Sequence, residues 1–395
     1  MKRVLMTWMK GAAFAALAFG AVACNDDDDD NSYLGGTDAE YKAVLESYVD
    51  YTIIPTYKAL AEAALVMRQA NEALKANPSD ATMEAASDAW MDARIKWELS
   101  EAFLFGPVSE DGFDIDAHVD SWPLELIDIQ REIAKGTITG AEAWEKEAEV
   151  IGFHVTEYLL YRNGESRPIA DVTANELSYL TAATDALVWD CVLAYVSWVG
   201  YENVTAEMKA VFNENPAIGQ LLEEKSEYKN YAQGLKNKTG VYIDHSWSGA
   251  FQEIASGAAD IADEVGTAKI ADPYEKKNTD LVESWYSWHS LDDYVNNIES
   301  IKNAYLGGTG NASRTAVSLS TYIASKDVVL DAQIKAKIED CITKIRAIGN
   351  YSGGKYQYSF YEVVRDQINA SQVQAAIDAC LELGTLFGYF NNNLY

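Results

Sequence analysis

The chain has 395 residues, with 61 acidic against 31 basic side chains, four histidines and a formal charge of −30. Such a surface repels nucleic acid and anionic lipid headgroups and concentrates cations around itself, so a nucleic-acid partner is excluded. Four cysteines with no C-x-x-C pair give no spacing for a structural zinc site.

Lys2, Arg3 and Lys10 form a positive leader, and Gly11 to Ala23 form an apolar run too short to span a bilayer as a helix. Residues 1–23 therefore read as a cleaved signal peptide, whose removal takes three positive charges and leaves the mature chain more acidic still. Ala21-Val22-Ala23-Cys24 resembles a bacterial lipobox, with Ala21 where leucine is usual, and makes Cys24 the lipid-bearing first residue. Residues 24–36 contain five consecutive aspartates, a self-repelling run that stays solvated as a tether. An acidic run after a lipidated cysteine resembles surface-export signals of some Gram-negative lipoproteins. That likeness implies an outer-membrane lipoprotein of the cell envelope, periplasmic or surface-exposed, touching the membrane through its N-terminal lipid only.

From Thr37 onward the periodicity is helical. One run reaches Ala76 with a bend at Pro55 and ends at Asn77-Pro78; Ser79 opens a second, through Trp90, Trp97 and Phe103, to Gly106-Pro107. Glu98 and Glu101 lie one turn apart on it, where a solvated face or a salt bridge to Arg94 is the plain alternative to a ligand role. The loop over 106–122 is long for a compact domain and carries Asp114, Asp116 and Asp120, which makes it a candidate binding loop. It is no EF-hand, because neither register starting at Asp114 or Asp116 supplies both the sixth-position glycine and the twelfth-position glutamate. Helices are expected over 123–135 and 139–163. The second carries Gly152-Phe153-His154-Val155-Thr156-Glu157, whose spacing of three puts imidazole and carboxylate on one face, a turn apart, able to grip one cation. Val150, Ile151, Tyr158 and Tyr161 surround that face, so the imidazole points inward. Spacing alone favours a core histidine hydrogen-bonded by its neighbour over a metal ligand.

Thr173 with Glu176 makes a capping box that opens an apolar helix to Gly200. The charged stretch 203–238, broken at Asn215-Pro216, holds a soft domain boundary. Helices follow over 241–265 and 279–305, the latter ending at Gly307-Gly308, and three or four more reach Tyr395, the last opened by a Ser371–Gln374 capping box. Nothing alternates with a period of two, so no sheet is expected, and no repeat of about 34 residues suggests a solenoid. The expected fold is all-α, two antiparallel helical-bundle domains over 37–215 and 216–395. Cys191, Cys341 and Cys380 read as buried thiols, with a Cys341–Cys380 bridge the alternative. Gly349-Asn350-Tyr351-Ser352-Gly353-Gly354-Lys355-Tyr356 mimics a phosphate loop but lacks the final Ser or Thr and the preceding strand. Ten tryptophans and 24 tyrosines at helical spacing read as core rather than as glycan platforms.

The string G-x-H-x-x-E followed by Tyr158-Leu159-Leu160 resembles the signature of the imelysin family, bacterial envelope proteins linked to iron uptake and catalogued as peptidases. Trp97-Glu98-x-x-Glu101-Ala102-Phe103-x-Phe105-Gly106-Pro107 is similar to that family's first signature, and Ile115-Asp116 followed by Trp122-Pro123 fits the pattern again. The resemblance implies metal ligands at His154, Glu157, Glu98, Glu101 and Asp116, in a cleft lined by Gly152, Trp97, Phe105 and Trp122. Asp263-Glu264-Val265-Gly266 and Glu283-Ser284-Trp285-Tyr286-Ser287, continuing to Asp293 and Asn297, form the family-like stretch of the second half; it implies that Glu283 and Ser287 line the cleft between domains. His289 and Asp292 match no family motif and read as a surface pair.

One imidazole with several carboxylates suits iron, manganese, zinc or calcium and disfavours copper(I); the family resemblance implies iron among them. The family's peptidase label finds no mechanism in the sequence: a zincin needs His-Glu-x-x-His, and no histidine here has another four residues away. The reading is therefore a non-catalytic lipoprotein that captures iron or an iron carrier. A metal-dependent peptidase and a helical scaffold for an outer-membrane receptor are the alternatives.

Overall fold

Local capping starts most of the helices. The computed structural model describes residues 33–242 and 245–394; the leader, Cys24 and the aspartate run lie outside them. Helix α1, Asp38–Tyr48, opens on Thr37, whose hydroxyl accepts from Glu40 N–H while the Glu40 carboxylate takes the Thr37 N–H. It continues through a π turn, Val49–Ile53, into α2, Ile54–Ala76. Pro55 stands at the start of α2, and the wider turn before it accommodates a ring that would otherwise clash with the carbonyl one turn back. Helix α3, Asp80–Glu98, is capped by Ser79.

α3 stops at Glu98 rather than at Gly106. Ser100 Oγ turns back to the Trp97 carbonyl (2.6 Å), and Ala102 N–H is taken by Ser300 Oγ from the second half of the chain (3.0 Å), which leaves Glu101–Phe103 as a 3-10 turn. The expected loop contains a short helix of its own, α4, Ile115–Asp120. The helix expected over 139–163 is broken into Gly140–Trp144, a 3-10 turn at Ala148–Val150, and α5, Gly152–Leu160. Gly152 makes the break: its φ is +83°, and a Cβ there would lie 2.5 Å from the Val119 carbonyl oxygen. After α5 a small hairpin pairs Tyr161–Arg162 with Glu165–Ser166. Its turn is Asn163-Gly164, both with positive φ, the Asn-Gly hairpin signal that the search for longer alternation overlooked.

Helix α6, Ala174–Val199, starts on the expected Thr173–Glu176 box and stops at Gly200. It is apolar nearly all round because it is the central helix of the core: 89% of its most apolar window is buried within the protein. α2 and α5 pack against it, and α3 packs on α2. In the second half come α7, Trp247–Glu264; α8, Ser290–Leu306; α9, Val328–Ile348; and α10, Ala370–Asn392. These four pack on one another, α1 lies against α7, and α3 meets α8. The fold is all-α.

Three further boundaries differ from expectation. α7 runs on through a π segment, Val265–Ala271, into Asp272–Lys276. α8 starts at Ser290, not 279, because Ser284 (φ +48°) and Trp288 (φ +59°) turn the chain before it. α10 opens on Asn369 in the left-handed conformation, without the Ser371–Gln374 box. Cys191, Cys341 and Cys380 are buried thiols.

Candidate metal centre

α5 carries His154 and Glu157 into the core, both fully buried. His154 Nδ1 lies 3.3 Å from Glu157 Oε2, so the pair does share one helix face. The other carboxylate oxygen, Oε1, accepts from both the N–H and the hydroxyl of Ser287, each at 2.8 Å. The turn set by Ser284 and Trp288 delivers those donors. On its far side the imidazole meets Asp120: His154 Nε2 to Asp120 Oδ1 is 3.1 Å. Trp97 Nε1 donates to Asp120 Oδ2 at 2.7 Å.

Arg94 is the hub of the buried charges. Its guanidinium pairs with Glu98, four residues on, with Asp120 at the end of α4, and with Asp293 on α8 (Nε to Oδ2, 3.3 Å). The salt bridge weighed as the plain alternative for Glu98 is therefore present. Glu98 also accepts from Asn297 Nδ2, and Asp293 from Ser284 Oγ (2.5 Å). Where α3 ends, Glu98, Glu101 and Asp120 present carboxylate oxygens that all lie within 4.8 Å of one another.

Of the expected ligands, then, Glu98 and Glu101 converge. Asp120, noted in the loop but passed over, completes the group, and His154 stands one contact away, with a carboxylate on each nitrogen. Asp116, one turn before Asp120 on α4, acts on Glu101 through its charge and is itself raised by Asp120. Of the expected lining, Gly152 seats α5 on the Val119 carbonyl, Trp97 holds Asp120, and Ser287 holds Glu157. Trp122 stands edge-on to His154 with ring centroids 4.9 Å apart. Glu283 is engaged by Lys269 (2.9 Å), and Phe105 packs edge-on against Trp198, towards α6. His289 and Asp292 form a loose, partly exposed pair at 3.7 Å.

Sequence reasoning missed Asp120, Asp293, Asn297 and Lys269 as members of this centre. Only Arg94 had a readable signal, its spacing of four from Glu98. Asp293 and Asn297 sit one turn apart on α8 in the family-like stretch, where the spacing was visible but their partner was not.

The electrostatics are lopsided. Six carboxyls, those of Glu98, Glu101, Asp116, Asp120, Glu157 and Asp293, meet two permanent cations, Arg94 and Lys269, and one imidazole. Burial, aided by neighbouring carboxylates, pushes Glu98 and Glu101 well above the usual range and Asp116 up to about 7. Asp120 goes the other way: burial would raise it, but Arg94 and then His154 outweigh burial and hold it ionised. Burial and Arg94 would lower His154; Asp120 and Glu157 prevail and lift it to about 9, so the imidazole is charged at neutral pH. Asp293 Oδ1, Asn297 Oδ1 and Trp122 Nε1 are buried polar atoms left without a hydrogen-bond partner in the protein. Convergent hard oxygens and orphaned acceptors beside them fit a hard cation.

Comparison with known proteins agrees on family and fold. The imelysin family matches residues 53–387. Iron-regulated protein A of Synechococcus elongatus is 26% identical over 263 residues, 67% of this chain and 64% of that protein, so the chain matches less than two thirds of that relative's length. The crystal structure of a putative iron-regulated protein A precursor from Parabacteroides distasonis superposes with a TM-score of 0.76 at 28% identity, covering 91% of this chain and 96% of that one. An imelysin-like protein from Psychrobacter arcticum shares the fold at 12% identity, with a TM-score of 0.60 over 89% of this chain and 94% of that one.

Proposed function

We propose, because this chain belongs to the imelysin family, that it is an envelope lipoprotein of iron acquisition, anchored through Cys24, which binds a metal ion through Glu98, Glu101 and Asp120. The observation that carries this reading is the convergence of those three carboxylates within 4.8 Å of one another. An incoming cation would compete with protons for Glu98 and Glu101, whose carboxyls burial pushes well above the usual range. His154 acts beside the ion rather than on it: it fixes Asp120 with one nitrogen and Glu157 with the other, and Ser287 fixes Glu157 in turn. The iron link comes from relatives named iron-regulated protein A, and the all-oxygen donor set suits iron as well as manganese or calcium.

The test is metal analysis of protein purified without chelators, compared with Asp120→Asn, Glu101→Gln and His154→Ala. The carboxylate variants are expected to lose the metal and His154→Ala to retain only part of it; equal content in all four proteins would overturn the site. An iron carrier in place of the bare ion is favoured by one observation, the ring of Trp122 edge-on to His154 with its buried Nε1 unpartnered. Trp122→Phe should then weaken binding of ferric citrate while leaving Mn2+ binding unchanged; weakening of both, or of neither, removes the carrier.

A further inference from the structure

The hairpin after α5 carries Arg162 in its first strand and Arg167 just past its second, and the two arginines are used differently. Arg167 is buried, and its guanidinium is committed to the Leu159 and Asp171 carbonyls and to Glu176 (2.9 Å). Arg162 is half-buried, and Nη1 alone is engaged, by the Tyr158 and Tyr161 carbonyls at the end of α5. Among the described residues no carboxylate pairs with Arg162 and its Nε and Nη2 meet no acceptor, in a chain with 61 acidic side chains to 31 basic. Two rings hold the guanidinium in place: its Cζ lies 4.1 Å from the Tyr158 ring centroid and 5.3 Å from that of Tyr286. The rings continue from there. Tyr286 stacks on Trp285 (4.1 Å), Trp285 stacks in turn on Tyr361 (4.9 Å), and Trp122 stands 6.4 Å from Tyr286 on the way to His154. Tyr158, Trp285, Tyr361 and Trp122 are half-buried, so the face they form reaches solvent. Closing α5 needs one nitrogen of Arg162; it does not account for a guanidinium laid on a run of rings with its other edge free.

We propose that Arg162 and these rings form a subsite for an aromatic carboxylate, the organic arm of an iron chelate; the link to iron rests on the metal reading given above. The free edge of the guanidinium offers Nε–H and Nη2–H side by side, the fork that fits the two oxygens of one carboxylate. A ring carried by that carboxylate lies against the neighbouring aromatic face. An aliphatic acid loses the stacking and a phenol loses the charge pair, so the combination selects for both. The guanidinium is already fixed by two carbonyls and two rings, and little ordering is lost when the acid arrives. A chain with a formal charge of −30 repels polyanions, and a single fork suits a small monoanion. Trp122 joins this face to His154, so one run of rings leads from the subsite to the carboxylate centre.

The experiment titrates the full mature chain by calorimetry with salicylate, phenol and cyclohexanecarboxylate, and separately with Mn2+. The wild type is expected to bind salicylate about tenfold tighter, or more, than either of the other two, each of which lacks one half of the recognition. Arg162→Gln should weaken salicylate about ten- to hundredfold and leave phenol unchanged. Arg162→Lys, a point charge without the fork, should recover only part of that loss. Because Arg162→Gln also removes a cap from α5, Trp285→Leu serves as a second probe: it keeps apolar bulk and should weaken salicylate severalfold while leaving cyclohexanecarboxylate unchanged. Mn2+ affinity is expected to be the same in all four proteins. Salicylate bound no tighter than phenol and cyclohexanecarboxylate, or bound equally by the wild type and Arg162→Gln, overturns the subsite, and Mn2+ bound alongside that result leaves the metal centre standing. Salicylate bound as expected, with Mn2+ bound by none of the four, upholds the subsite and removes its link to iron.

Discussion

Glu157 has its two oxygens divided between two halves of the molecule, one taken twice by Ser287 and the other facing His154. Removing the hydroxyl in Ser287→Ala leaves a buried charged oxygen with one donor instead of two, a loss of about 1–3 kcal/mol. Chemical denaturation should show it, and metal binding should weaken as well, because Glu157 steadies the imidazole that steadies Asp120. Elsewhere Glu253 is a carboxyl raised to about 7 by burial, against which the Tyr242 hydroxyl acts. Its folded-state pKa exceeds its unfolded one, so between about pH 4.5 and 7 the folded chain keeps a proton that the unfolded chain has released. The contribution of Glu253 to stability therefore falls as pH rises through that window and is level above it. Glu253→Gln should remove this group's share of the slope, leaving that of Asp116 and the other raised carboxyls, and be more stable than the wild type by about 2–3 kcal/mol at pH 8, as measured by urea unfolding at a series of pH values. At this scale the sequence was legible where spacing is local. His154 with Glu157, and Glu98 with Glu101, stand three apart, whereas Asp120 and Lys269 join the centre only through folding that no spacing announces.

Among the elements the same division holds. The helix starts at Thr37, Ser79 and Thr173 were readable because a cap is a contact between residues three apart. The end of α3 was not, because Ser300 from α8 takes the Ala102 N–H. Nor was the late start of α8, which the left-handed turns at Ser284 and Trp288 impose. Gly152 is the element boundary with most consequence. Any side chain there meets the Val119 carbonyl while the backbone is held at φ +83°, so Gly152→Ala should cost about 2–4 kcal/mol. Val119 precedes Asp120, so the displaced carbonyl also shifts a ligand. Metal affinity is expected to drop in Gly152→Ala even under conditions where circular dichroism shows full helicity; an unaltered affinity in folded protein would separate the glycine from the site.

Across the whole molecule, one set of polar contacts between the two halves of the chain runs through the centre. Arg94 with Asp293, Glu157 with Ser287, Glu98 with Asn297 and Ala102 with Ser300 each join residues 94–157 to residues 284–300. Apolar periodicity announced that the chain would be all-α, because a helix shows its buried stripe in its own sequence. It could not announce where two sets of helices would meet, because that junction is made of charges whose partners lie up to 199 residues away. A site made of both halves ties ligand binding to their union. Metal at a hundredfold excess over its Kd should stabilise the chain by about 2.7 kcal/mol, by mass action alone. The gain should also be local: hydrogen exchange should slow at Glu98–Asp120, at α5 and at Ser284–Ser300, while α9 and the C-terminal end of α10 exchange as before. Uniform protection over all helices would mean that the ion acts on the anionic surface at large. Protection confined to α3 and α4 would mean that the second half takes no part in holding it, and the Arg94–Asp293 and Glu157–Ser287 contacts would then be packing alone.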